Sequence, residues 1–193
     1  MIILASASAA RRQMLDRAGV ALTSCAALVD EAAVKQCARG ADNDRALMVA
    51  EAKATEVARR HPGALVIGAD QMLVCEVVWF DKPASAKEAR EQLLALRGRT
   101  HRLISAVVVM RDGAVLWRCA EVARLTMRAF SEAFLDQYLA EVGDEVCHTV
   151  GCYRIEGVGL QLFSRVEGDH FVILGMPLLP LLEALRGLGE LES

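Results

Sequence analysis

Residues 1–15 read MIILASASAARRQML: a short apolar run, serines at positions 6 and 8, then two adjacent arginines. Met1–Leu4 has the content of a short buried strand, and Ala9–Ala18 is rich in helix formers and ends at Gly19. A strand that feeds directly into a helix predicts a strand, turn and helix N-terminus, with Ser6 or Ser8 as the N-cap. The start of such a helix offers unsatisfied backbone N–H groups and a positive dipole end, so an anion sits there readily. Ser8 and Arg11 would complete an anion site, although a plain capped helix with solvated arginines accounts for the stretch more simply.

The rest of the chain extends this alternation. Asn43–Arg60 places Ala46, Val49, Ala50, Lys53 and Val57 at helical spacing, and His61-Pro62-Gly63 stops it. Leu65–Val78 is mostly apolar and predicts a strand with Asp70-Gln71 in its middle. Ala86–Leu96 predicts a third helix, after Lys82-Pro83 and before Gly98. Leu103–Met110 and Val115–Met127 predict two long strands joined at Arg111-Asp112-Gly113, a hairpin. Ser131 opens a fourth helix that reaches Glu141, and Met176–Leu188 predicts a fifth. Hairpin and crossover connections together predict an α/β fold with a mixed sheet flanked by helices. No repeat and no linker divides the chain.

Composition narrows the function. The 193 residues are 54% hydrophobic but only 5% aromatic, so Ala, Val and Leu supply the core. A net charge of -3 argues against broad binding of nucleic acid, which needs a basic face, but leaves room for a local cationic cluster around a small anion. Arg11 and Arg12 interrupt the first apolar run, so no signal peptide is expected. Phe171–Leu182 is apolar but carries Pro177 and Pro180 and is too short to span a bilayer, so the expectation is a cytoplasmic protein without a membrane partner. The six cysteines form no Cys-x-x-Cys pair and are expected as free thiols; Cys147, His148, Cys152 and His170 match no common zinc spacing.

Several polar residues stand where burial is expected. Asp30 and Glu31 close an apolar segment, where carboxylates either cap a helix or hold a divalent cation through hard oxygen ligands. Asp70 in the middle of a buried strand is costly unless paired, protonated or bound to metal, and Gly68 beside it permits a close approach of ligand or backbone. Lys53 and Lys82 are further cations; each alone reads as a surface lysine. GRTHRL at 98–103 would ordinarily be a turn into a strand, with His101 structural, and Glu156 lies between small residues, as at the edge of a ligand pocket. Together, cations for a polyphosphate, acids for a divalent metal and polar groups for a base suggest metal-assisted phosphoanhydride hydrolysis.

The motifs LASASAARRQML, VDE, EAKA, GADQ, DKP, GRTH, GCYRIEG and EGDHFVILGMPL resemble, in order and spacing from residue 2 to about residue 186, those of the Maf family of nucleoside triphosphate pyrophosphatases. The resemblance implies one domain over residues 1–193 with an inosine-triphosphatase-like fold, a mixed twisted sheet flanked by helices, and two lobes around a nucleotide cleft. It implies cleavage of a nucleoside triphosphate to monophosphate and pyrophosphate with Mg, Mn or Co as the divalent cation, and a homodimer is expected. Ser8 and Arg11 match the family's phosphate-binding motif, Lys53 and Lys82 its lysines, and Glu31 and Asp70 its metal-holding acids. Asp70 is also the expected general base.

Departures from the commonest family form bear on the substrate. That form, associated with dTTP and UTP, has Ser-Pro-Arg-Arg, Gly-Ala-Asp-Thr and Ile-Gln-Gly; here Ala9 and Ala10 replace the Pro and first Arg, Gln71 the Thr, and Glu156 the Gln. Gln71 and Glu156 resemble the branch that hydrolyses 7-methyl-GTP. A carboxylate accepts guanine's N1–H and exocyclic amine, and the positive charge of N7 methylation favours it further, whereas it repels the carbonyls of thymine. Ala10 stands where that branch carries Trp, Val172 where an Asn is usual, and Asp81 where a Gly is usual before Lys-Pro. The alternatives are a dTTP/UTP enzyme of the same family and a nucleotide-binding regulator of septum formation.

Overall fold

A computed structural model describes residues 1–38 and 40–192. Its first strand, β1 (Ile2–Ala5), is buried throughout and pairs in parallel with β2 (Leu22–Ser24) on one side and β3 (Leu65–Cys75) on the other. Parallel neighbours require crossovers, and helices supply them. Helix α1 (Ala9–Arg17) follows β1 after the Ser8 cap, and Gly19, at φ 77°, turns the chain into β2. Helices α2 (Glu31–Cys37) and α3 (Asp42–Arg60) then lead to β3.

Beyond β3 the connections become hairpins. β4 (Val78–Phe80) folds back antiparallel on the end of β3, and α4 (Ala86–Leu96) follows. β5 (Thr100–Arg111) turns through Asp112 and Gly113, both at positive φ, into β6 (Ala114–Met127). Then come α5 (Glu132–Val142), three 3-10 segments between Gly143 and Leu162, β7 (Phe163–Glu167), α6 (His170–Leu174) and α7 (Leu178–Gly187). The described residues form a mixed seven-stranded sheet in the order β2-β1-β3-β5-β6-β7, with β4 beside β3. No helix among them is long and apolar enough to cross a membrane.

Two expectations need correcting. The run 65–78 is two strands, because Glu76 adopts φ 55° and reverses the chain at Glu76-Val77 without the glycine or asparagine that usually marks such a turn. The predicted last helix likewise starts later, at Leu178, with Pro177 at its N-cap, and the short α6 precedes it.

The chain divides into two compact units. The first comprises Met1–Gln71, Ile104–Glu121 and the residues from Asp169 onward. On one face of its sheet Leu4, Leu65, Ile67 and Ala69 pack with Met14 and Leu15 of α1 and Leu181 and Leu185 of α7. On the other face Ile3, Ala5 and Val66 pack with Ala54, Val57 and Ala58 of α3. Alternation along β3 sends successive side chains to these two cores. Gly68 lies on the α3 side, where a Cβ would stand 2.1 Å from the Ala50 carbonyl oxygen and 2.9 Å from Ala54 Cβ. Its lack of a side chain sets how closely α3 lies on β3.

The second unit comprises Met72–Leu103 and Val122–Gly168. Its interior includes Leu93 and Leu96 of α4, Leu135 and Tyr138 of α5, and Phe130, Tyr153 and Leu162. His101, 1% exposed, meets the Tyr153 hydroxyl through Nε2 at 2.7 Å, while Nδ1 has no partner among the described residues. Burial lowers the His101 pKa from 6.5 to about 4, so the ring is neutral at physiological pH.

Candidate active site

Ser8 is the N-cap of α1, its Oγ accepting from the Arg11 backbone N–H at 3.4 Å. Ser6 acts differently, its Oγ accepting from the Ser8 N–H at 3.2 Å and from Arg11 Nη1 at 3.4 Å. Arg11 does not face solvent. Its Nε donates to the Gly175 carbonyl at 3.0 Å and Nη1 to the Ala69 carbonyl at 3.2 Å, so backbone oxygens from two distant segments fix the guanidinium plane. Burial lowers its pKa, opposed by the charges of Asp70 and Glu31, and arginine stays protonated regardless. Arg12, by contrast, pairs with Asp16 on the exposed side of α1.

On the opposite face of β3, Lys53 reaches the sheet one turn beyond Ala50. Its Nζ lies 2.8 Å from Asp70 Oδ1 and 2.8 Å from Glu31 Oε1. The closeness of α3 permitted by Gly68 brings this lysine to Asp70. Glu31 is delivered by another route. Asp30 caps α2, accepting from the Ala33 N–H at 3.0 Å, which leaves the next carboxylate to turn toward Lys53. The segment before it is strapped to α3: Glu56 accepts from the Leu28 N–H at 3.1 Å, and Arg60 donates to the Ala26 carbonyl at 2.9 Å. Of the two acids foreseen near position 30, one caps the helix and the other joins the cluster.

Asp70 is buried, and its Oδ2 has no hydrogen-bond partner among the described residues. A buried carboxylate oxygen without a donor is costly, and a hard cation is one partner that would satisfy it. The described residues hold no group of three or more His, Cys, Asp or Glu side chains placed for a metal. Two carboxylates are nevertheless what Mg²⁺ commonly takes from a protein when substrate phosphates supply further oxygens. Glu31 and Asp70 therefore fit such an ion.

Gln71, on the Arg11 side of β3, spends its amide nitrogen within the fold. Nε2 lies 3.1 Å from Ser105 Oγ and 3.0 Å from each of the Val172 and Ile173 carbonyls of α6. Of the eight residues singled out by sequence, Ser8, Arg11, Glu31, Lys53, Asp70 and Gln71 belong to the first unit. Lys82 and Glu156 belong to the second: Lys82 is exposed in the segment between β4 and α4, and Glu156 is exposed in the turn after Arg154. The sequence reading missed Ser105, the Gly175 carbonyl and the part Ser6 plays in holding Arg11. Ser105 had a visible signal, since a serine inside the apolar run LISAVVV must find a buried partner.

A mixed α/β unit that fixes a guanidinium on one face of a strand and an ammonium with two carboxylates on the other can neutralise an anion and hold a hard cation at neighbouring points. Comparison with known proteins gives this arrangement a lineage. The chain belongs to the family described as Maf-like protein, whose model matches residues 1–188. It is 57% identical to a nucleoside triphosphate pyrophosphatase of Paramagnetospirillum magneticum, over 98% of this chain and 99% of that one. It is 53% identical to another nucleoside triphosphate pyrophosphatase, from Granulibacter bethesdensis, over 96% and 95%. It is 50% identical to a 7-methyl-GTP pyrophosphatase of Mesorhizobium japonicum, over 100% and 98%.

Proposed function

We propose that this protein is a nucleoside triphosphate pyrophosphatase that takes 7-methyl-GTP as substrate, releasing the monophosphate and pyrophosphate. The observation that carries the reading is Lys53 Nζ at 2.8 Å from both Glu31 and Asp70, with Asp70 Oδ2 buried and unpartnered among the described residues. A lone structural ion pair does not need a second carboxylate, nor leave a buried oxygen without a donor.

Arg11, with its plane fixed by two carbonyls, presents charge to the triphosphate, and the first-turn N–H groups of α1 beyond Ser8 add donors. Lys53 and Lys82 neutralise further phosphate charge. Glu31 and Asp70 hold the divalent cation, which supplies Lewis-acid polarisation of phosphate oxygens when bound. The Asp70 carboxylate takes a proton from the attacking water as the water oxygen bonds to the α-phosphorus; the α–β phosphoanhydride bond breaks and pyrophosphate carries the leaving electron pair. Glu156 accepts from guanine N1–H and the exocyclic amine, which favours the methylated purine over thymine or uracil.

The test is a pyrophosphate-release screen of 7-methyl-GTP, GTP, dTTP and UTP with Mg²⁺, Mn²⁺ or Co²⁺. The expected ranking puts 7-methyl-GTP first. If dTTP and UTP lead, the reading of Glu156 fails; if nucleotides bind but none is cleaved, the protein is a nucleotide-binding regulator and the catalytic reading fails.

A further inference from the structure

Ser105 is fully buried in the middle of β5. Its hydroxyl donates to the Val172 carbonyl at 2.7 Å and lies 3.1 Å from Gln71 Nε2, which also approaches the Val172 and Ile173 carbonyls. These carbonyls belong to the last turn of α6, where no later helical N–H continues the ladder. Side chains from two neighbouring strands thus cap a five-residue helix from beneath. The turn closes through Gly175, whose N–H reaches the Phe171 and Val172 carbonyls at 3.0 and 3.1 Å and whose φ of 114° suits only glycine. The carbonyl of that same Gly175 receives Arg11 Nε at 3.0 Å. An unbroken path of hydrogen bonds therefore runs from Ser105 and Gln71, through the end of α6, to the guanidinium.

We propose that Ser105, together with Gln71, is a positioning residue for Arg11: the two fix the α6 terminus so that the Gly175 carbonyl holds the guanidinium in the orientation that binds phosphate. The proposal rests on the reading of Arg11 as a phosphate cation and extends it to residues that touch no phosphate. It also gives Gln71 a role independent of the base, since its amide nitrogen is already committed to α6. Loss of either donor lets the Gly175 carbonyl shift and frees the guanidinium to rotate, so affinity for phosphate falls while the proton-transfer group on the other face of β3 is untouched. The signature is a raised KM with kcat nearly unchanged.

The test is a double-mutant cycle between Ser105→Ala and Arg11→Ala, read by calorimetric binding of inorganic tripolyphosphate in the presence of Mg²⁺ and by steady-state kinetics. Ser105→Ala in the wild-type background is expected to weaken tripolyphosphate binding about fivefold, and in the Arg11→Ala background to change it by less than about 1.5-fold. Ser105→Thr, which keeps the hydroxyl, is expected to restore binding. Unchanged binding in Ser105→Ala, or an equal loss in both backgrounds, overturns the proposal. If Ser105→Ala does not fold, Gln71→Met, which keeps the length and removes the donor, is read in the same cycle with the same criteria. A coupled loss of tripolyphosphate binding in a protein that cleaves no nucleotide would sustain this inference and refute the pyrophosphatase reading, so the two fail separately.

Discussion

Asp70 divides the work between its two oxygens, Oδ1 accepting from Lys53 at 2.8 Å while Oδ2 is buried without a donor among the described residues. Asp70→Asn keeps the shape and, on the proposed mechanism, removes the proton acceptor, so pyrophosphate release is expected to fall about 10²- to 10⁴-fold, measured as initial rate at saturating nucleotide and metal. His101 supplies a second prediction. Its folded pKa of about 4 lies below the ordinary 6.5, so between these values the unfolded chain binds the proton that the folded chain refuses. Stability from the neutral, buried ring is complete above pH 6.5 and is lost as pH falls toward 4, by on the order of 3 kcal/mol. Urea midpoints measured across that window should drop with falling pH, and the drop should flatten in His101→Gln. A residue-by-residue reading of the sequence could name Lys53 and Asp70 as candidates, because each is a charge in apolar surroundings. It could not see that Ser6 and the Gly175 carbonyl hold Arg11, since neither side-chain type nor spacing reports where a backbone oxygen 164 residues away will lie.

Among elements, β3 and α3 make the decisive contact. Gly68→Ala would place a Cβ 2.1 Å from a carbonyl oxygen of α3, which the helix can relieve only by moving off the sheet. A loss of about 2 kcal/mol or more is expected in denaturant unfolding, with lower activity because Lys53 rides on the displaced helix. Element positions that rest on strong local chemistry were legible: Ala86–Leu96 matches α4 residue for residue, and the Asp112-Gly113 hairpin lies where the turn residues put it. Those that tertiary packing imposes were not. The Glu76-Val77 turn has no turn-forming residue, and α6 has only five residues, with an end completed by side chains of β3 and β5. Short elements bury too little along one face for their own periodicity to show.

For the whole molecule, the mixed order of the sheet follows from a chain that begins with helical crossovers and continues with hairpins, and this much the alternation of patterns foretold. The division into two units did not show as a break in composition, because β3, β5 and β6 pass through both. The pyrophosphatase reading makes turnover depend on a divalent cation: a chelator is expected to abolish pyrophosphate release, and added Mg²⁺, Mn²⁺ or Co²⁺ to restore it. Stability should behave differently. The ammonium of Lys53 offsets one of the two acidic charges and the nearby Arg11 guanidinium the other, so the fold is expected to form with internal charge alone, unlike small domains that remain unfolded until an ion arrives. The thermal midpoint in chelator is therefore expected to equal that in metal-free buffer, with the protein expected to refold in chelator, and to lose turnover there if the pyrophosphatase reading holds.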